Sequence, residues 1–305
     1  MINIKKKGIA KKIIVLYLMV LPALALIFIF NYLPYSGLVI AFKDFQPFKG
    51  IWGSPWAGLK YFGKFLTDEK FYSVLLNTLK INFCDIILGF TAPIIFALLA
   101  NEIYNIKFKK TVQTISYLPN FLSWIVVSGI FYEVLSPGET GLINIVLHNV
   151  FGIEPIYFMA SQKLFVPIIV FVDIWKNMGW SAILYFATIA GIDVSLYEAA
   201  DMDGAGRFKQ AIHITIPSMI SIIVLMFLLK ISTIFTIGFD RIFLMQNPTV
   251  YNVSDVLSTY VYRAGLVEMQ FSLTTAIGMV QGILGFALIY FSNKLSKRVV
   301  GLGLY

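Results

Sequence analysis

Charge is scarce in this sequence. Only 13% of its 305 residues are Asp, Glu, Lys or Arg, against roughly 25% in soluble domains, which excludes an ordinary water-solvated globule. Cysteine occurs once, at Cys84, so an internal disulfide and a thiolate metal cluster are both excluded. The two histidines, His148 and His213, stand in no metal-ligand spacing and read as ordinary loop residues. Short segments of alternating polarity, about ten residues each, are missing as well, which argues against a transmembrane β-barrel. There is no strong internal repeat and no low-complexity linker.

What is present is apolar. The apolar fraction is 58% and the mean hydropathy is +0.81. Several runs reach the roughly 20 residues that a helix needs to cross a bilayer. The expected fold is therefore all-α and polytopic, a single transmembrane domain over 1–305 with spans at about 13–33, 71–100, 112–135, 164–190, 216–239 and 271–292. The first run is too long for a cleaved leader and no A-x-A site follows it, so it reads as an uncleaved anchor. Residues 43–70 and 240–270 read as loops, and 141–150 as a small amphipathic helix.

The net charge of +8 sits at the mouths of spans, as in Lys5, Lys6, Lys7, Lys11 and Lys12 before the first. Anionic lipid headgroups favour such clusters, and no nucleic-acid motif accompanies them. With six spans, one side carries thirteen Lys and Arg and the other eight. The positive-inside rule then makes both termini, and the loop at about 191–215, cytoplasmic.

That loop contains the most unusual stretch of the chain, "EAADMDGAGRFKQAIHITIP" at 198–217. Catalysis is a poor reading, because Asp201 and Asp203 are two apart and diverge on a helix. A phosphate cradle is no better. The chain's near match to a nucleotide loop, Gly58 to Lys64, continues with Phe65 where Ser or Thr should hold magnesium. The third reading is a docking helix. Ser195 and Glu198 fit a capping box, Ala199 and Ala200 give a small-residue face, and Gly204 with Gly206 allows a stop and a sharp turn. On these residues alone, a docking helix and an unpartnered loop helix are equally good readings.

The spacing of Glu198-Ala199-Ala200, Asp203-Gly204-Ala205, Ile214 and Pro217 resembles the EAA loop of permease subunits of binding-protein-dependent ABC importers. That pattern ends I-x-L-P, and here Ile216 replaces the leucine. "FKDFQPFKGIWGSPWAGLKYFGKFL", "LLNTL" at 75–79 and "YLPNFLSWIVVSGIF" at 117–131 extend the resemblance to LplB-type sugar-importer permeases. It implies a MetI-like helical core. It also implies ATPase-coupling roles for Glu198, Ala199, Ala200, Asp203, Gly204 and Pro217, with Glu198 capping its helix and pairing with a basic group of the ATPase. The implied partners are a second homologous permease, a cytoplasmic ATPase dimer, an extracellular solute-binding protein, a carbohydrate substrate and the lipid bilayer. No cofactor is implied in this chain, which is not expected to be an enzyme. ATP and magnesium would be bound by the ATPase subunits.

Intramembrane polar residues usually face a cavity or a partner. Asp173, Asn177 and Trp180 lie at i, i+4 and i+7 on one helical face, and Lys230 and Thr233 share another. These five are the candidate sugar-pathway residues, at positions that also resemble the family's sugar site. The bland alternatives are pairing of Asp173 with Lys176 or Lys230, and interfacial anchoring by Trp180. Asp85 and Glu133 read as lying near span ends. The rival function, an ion-gradient-driven secondary carrier, calls for a paired inverted repeat, and none is visible.

Overall fold

The computed structural model describes residues 2–138, 140–235, 238–299, 301 and 303. Among them there is no β-strand, only an isolated bridge between Lys43 and Trp56. Five helical segments are long and apolar enough to cross a membrane: Ile14–Phe42, Glu69–Asn101, Gln162–Ala190, Arg207–Ser232 and Phe271–Arg298. A sixth span is counted if the bent pair Ile106–Phe121 and Trp124–Val134 crosses as one. The chain forms two compact units.

The first unit comprises residues 1–67 and 264–280. Its span passes from α-helix through a wider π-turn at Phe28–Tyr32 to a tighter 3₁₀ segment at Leu33–Phe42. The aromatic loop that follows is ordered by its lysines. Lys43 Nζ donates to the Ile51 carbonyl at 2.7 Å, and Lys60 Nζ pairs with Asp44 at 2.8 Å. The Lys60 ammonium, followed by the Tyr61 hydroxyl, holds the Asp44 carboxyl below its ordinary pKa. Ser272 Oγ donates to the Lys43 carbonyl at 2.6 Å. The apparent nucleotide loop lies here in helix Lys60–Leu66, with Phe65 buried where a magnesium-binding hydroxyl would be needed.

The second unit comprises residues 68–263 and 281–305. Its core gathers Ile81, Val127, Phe165, Ile169, Val172, Ile242 and Met245 around the helix Gln162–Ala190. The expected third span is broken rather than straight, bending by 103° between its two helices. Pro119 offers no N–H, and Leu122 is extended before Ser123 caps the second helix with a bond to the Val126 amide at 3.3 Å. Lys176 fixes the break. Its buried ammonium donates to the carbonyls of Leu122 at 2.7 Å, Asn120 at 2.8 Å and Pro119 at 3.3 Å. These bonds satisfy carbonyls that a continuous helix would have paired internally.

The expected loop at 240–270 is structured and partly buried. It holds the helices Phe239–Met245, Tyr251–Ser254 and Leu257–Tyr262. A polar stripe on the second span pins it. Asn77 Nδ2 donates to the Asn252 and Asp255 carbonyls at 2.9 and 3.2 Å, and Thr78 Oγ1 accepts the Leu257 amide at 2.9 Å. Irregular backbone is tolerated inside protein when side chains supply its missing partners. The fifth span starts earlier than expected, because Arg207–Gln210 runs through a π-turn at Ala211–Thr215 into Ile216–Ser232. Residues 236 and 237 of the expected 216–239 span lie outside the described residues. The small helix expected at 141–150 is Leu142–Phe151.

The broken helix approaches the fourth span at Gly179. A Cβ there would meet the Ser116 carbonyl oxygen at 2.1 Å, whereas a Cβ at Gly129 would meet nothing within 4 Å. Gly179→Ala should therefore lose about 1–3 kcal/mol by overpacking against backbone. Gly129→Ala should be neutral or gain up to about 1 kcal/mol from helix propensity. Thermal unfolding of the purified protein checks both, and equal melting points would refute the close approach.

Candidate functional site

Three features of the second unit stand out. The first is an exposed helix, Val194–Met202, joining the fourth span to the fifth. None of its residues is buried, and Val194, Leu196 and Met202 expose large apolar side chains. Its start differs from the expected capping box. Asp193 is the N-cap and accepts the Ser195 amide at 3.0 Å, which lowers its own carboxyl pKa. The register is thus two residues earlier than expected. Glu198 falls mid-helix, where it is exposed and makes no hydrogen bond or ion pair among the described residues.

The stop is a Schellman turn. Gly204 adopts φ +74°, with its amide bonded to the Asp201 carbonyl at 3.0 Å and the Ala205 amide to Ala200 at 2.9 Å. Only a residue without Cβ enters this left-handed position without strain. Ala199, Asp203 and Pro217 are exposed and Ala200 is half-buried. The exit of the loop is tied down by Tyr197 OH to Thr215 Oγ1 at 2.8 Å and by Arg207 to Glu102 at 3.5 Å.

The second feature is a cavity of about 580 Å³ between the second, fourth and fifth spans. Trp180, Lys230 and Thr233 all line it, so three of the five candidate pathway residues come together. Trp180 is half-exposed and meets Phe121 edge-on, ring centroids 5.8 Å apart. Asp173 and Asn177 are not among the lining residues.

Those two belong to the third feature, a buried polar chain. Arg241 is 3% exposed and donates to Asp85 at 2.6 and 3.2 Å; it also pairs with Asp173 at 3.2 Å. Asn177 Nδ2 donates to Asp173 Oδ1 at 3.0 Å, and Asn120 Nδ2 to Asn177 Oδ1 at 3.0 Å. The chain links the second span, the helix Phe239–Met245, the fourth span and the break in the third. Asp85 is therefore buried in a π-turn, Asp85–Gly89, rather than placed at a span end. Lys176 spends its donors on carbonyls, and Asp173 is held by Arg241.

Sequence reasoning missed Arg241 because it was assigned to a loop. The available signal was its immediate setting, "FDRIFLM", an apolar segment in which a cation needs a carboxylate. Arg241→Met would leave the buried Asp85 carboxylate and the half-buried Asp173 carboxylate without their cation. It should cost about 3–5 kcal/mol, with part recovered in Arg241→Met/Asp85→Asn. Melting temperatures of the reconstituted protein test this, and an Arg241→Met variant as stable as its parent would remove the network from the account of the fold.

No family model matches the chain. It is 42% identical over 304 residues to the polygalacturonan/rhamnogalacturonan transport system permease protein YteP of Bacillus subtilis (strain 168), covering 99% of this chain and 94% of that one. It is 40% identical over 290 residues to protein LplB of the same organism, covering 95% and 91%. Among solved structures, a chain from the crystal structure of a bacterial ABC transporter that imports the acidic polysaccharide alginate matches with a TM-score of 0.88. That match has 34% sequence identity over 97% of this chain and 99% of the other. With this likeness running from end to end, and with a multi-pass helical fold to match, the chain belongs to the permease subunits of ABC importers.

Proposed function

We propose that this permease subunit carries oligosaccharides or glycan fragments, delivered by an extracellular solute-binding protein, across a bacterial cell membrane at the expense of ATP. The substrate class rests on relatives named for polygalacturonan/rhamnogalacturonan transport and for import of the acidic polysaccharide alginate. A solved structure of the alginate transporter includes a periplasmic protein carrying an alginate pentasaccharide. The whole chain, 1–305, acts as one permease domain, paired with a second homologous permease. Both termini and the helix Val194–Met202 face the cytoplasm. ATP and magnesium are held by an ATPase dimer below.

The observation that carries the coupling role is the exposed helix itself. It is fixed at both ends, by Asp193 and by the Gly204 turn, yet its apolar side chains have no buried environment in this chain. Such a surface suits a partner's groove. In this reading Ala199 and Ala200 allow close packing, Glu198 pairs with a cation of the ATPase, and Asp203, Gly204 and Pro217 set the exit direction. Trp180, Lys230 and Thr233 form the pathway wall. Asp173 and Asn177 sit behind it and position the fourth span.

Gly204→Asp should uncouple the machine. A side chain at φ +74° costs roughly 1–2 kcal/mol, and the turn relaxes by tilting the helix end. ATP-driven saccharide uptake into proteoliposomes should fall at least about tenfold, a 1.4 kcal/mol effect, while subunit assembly persists. Unchanged uptake in the assembled complex would reject the coupling role, and uptake driven by a sodium or proton gradient without ATPase would reject the permease reading as a whole.

A further inference from the structure

The cavity's chemistry is one-sided. Among the described residues its only charged lining residue is Lys230, and its other polar groups are the hydroxyls of Ser181, Tyr185 and Thr233 and the indole N–H of Trp180. Among the described residues no carboxylate or amide side chain lines it. Hydroxyls both donate and accept, so these three serve neutral and charged sugars alike, whereas the Lys230 ammonium is a donor only and carries a formal charge. That single cation is the feature that fits a ligand bearing a carboxylate.

Lys230 is also kept available. It is half-buried and makes no hydrogen bond or ion pair among the described residues. The carboxylates that would otherwise close on it are engaged elsewhere. Asp85 is held by both terminal nitrogens of Arg241, and Asp173 by Arg241 and Asn177. Asp85 still attracts the ammonium through space, without a hydrogen bond. The three donors of the Lys230 ammonium are left for something in the cavity. An ammonium in such a partly desolvated wall binds a carboxylate with a charge-assisted bond, stronger than a bond to a neutral hydroxyl. Trp180, half-exposed on the same wall, offers an aromatic surface for the apolar side of a pyranose ring. The volume of about 580 Å³ falls within the roughly 300–1,000 Å³ of small-ligand sites.

We propose that Lys230 is the carboxylate-reading residue of the pathway, and that the saccharide translocated is a carboxylated, uronate-containing one. This rests on the reading of the cavity as part of the sugar pathway. Arg241 then acts as a positioning residue: by occupying Asp85 and Asp173, it frees Lys230 for the substrate.

The test uses the whole importer in lipid nanodiscs, without its solute-binding protein, and equilibrium dialysis of two probes. Trigalacturonate carries the carboxylates, and its methyl ester is the same trisaccharide without charge. The acid should bind about tenfold more tightly or better, as expected for a hydrogen bond to a charged group, and the preference should shrink with added salt. Lys230→Gln should abolish the preference, so that acid and methyl ester bind alike. Lys230→Arg should keep it, which separates loss of charge from loss of folding. Trp180→Ala should weaken both probes alike. Equal binding of the two probes, or a preference that survives Lys230→Gln, overturns the assignment. Should neither probe bind while ATP-dependent uptake of a neutral oligosaccharide proceeds, the uronate reading falls and the permease reading stands. Absence of any ATP-dependent saccharide uptake is the separate result that removes the reading beneath it.

Discussion

The structure depends on one guanidinium. Arg241 meets Asp85 and Asp173 where water is almost absent, and burying three charges there is costly unless each is paired. The pairing obliges three segments to be neighbours: the π-turn of the second span, the middle of the fourth, and the short helix Phe239–Met245. Apolar packing alone would let these helices slide or rotate past one another. A fork of nitrogens aimed at two carboxylates permits a single register. The network is thus better understood as specifying an arrangement than as adding stability.

Around that point, polar groups are used economically. Asn77, Thr78 and Asp85 of the second span all face the segment that follows the fifth span. Lys176, on the fourth span, neutralises the open carbonyls of the broken third helix. Apart from Asp85, which pairs with Arg241, each of these side chains replaces a backbone partner lost at a bend or a short helix. Side chains left without such duties lie elsewhere, at Lys230 on the cavity wall and Glu198 on the exposed helix. The contrast between occupied and unoccupied polar groups divides framework from working surface more sharply than their position along the chain does.

Much of this was legible in the sequence. Apolar runs mark the long helices because the bilayer demands about 20 residues of them. The loop at 198–217 stands out because its alanines, glycines and proline obey local rules of helix capping and turning. Even there a detail escaped: Asp193 competes with Ser195 for the cap, and both satisfy the same requirement for an acceptor before the first amides. The polar chain was not legible. Asp173 with Asn177 shows helical spacing, but spacing cannot say whether a carboxylate meets a sugar or an arginine sixty-eight residues away. Nor does the bend at Leu122 follow from Pro119 alone, since prolines sit inside the helices at Pro93 and Pro167 without such a break. The bend needs Lys176 to stabilise its carbonyls, and that is a tertiary fact.

The fourth span has a mechanical consequence. From Trp180 to Ala190 it is unbroken helix, about 15 Å of stiff rod at 1.5 Å per residue. Its only proline, Pro167, lies on the far side of Asp173. Arg241 grips the rod at Asp173 and the exposed helix begins just beyond its end, so the rod is a lever with a fixed fulcrum and a free tip. A small sideways push at the tip then produces a smaller, proportionate swing at Trp180, and almost none at the fulcrum. The cavity wall can open and close by fractions of the tip's travel while the ion network stays intact.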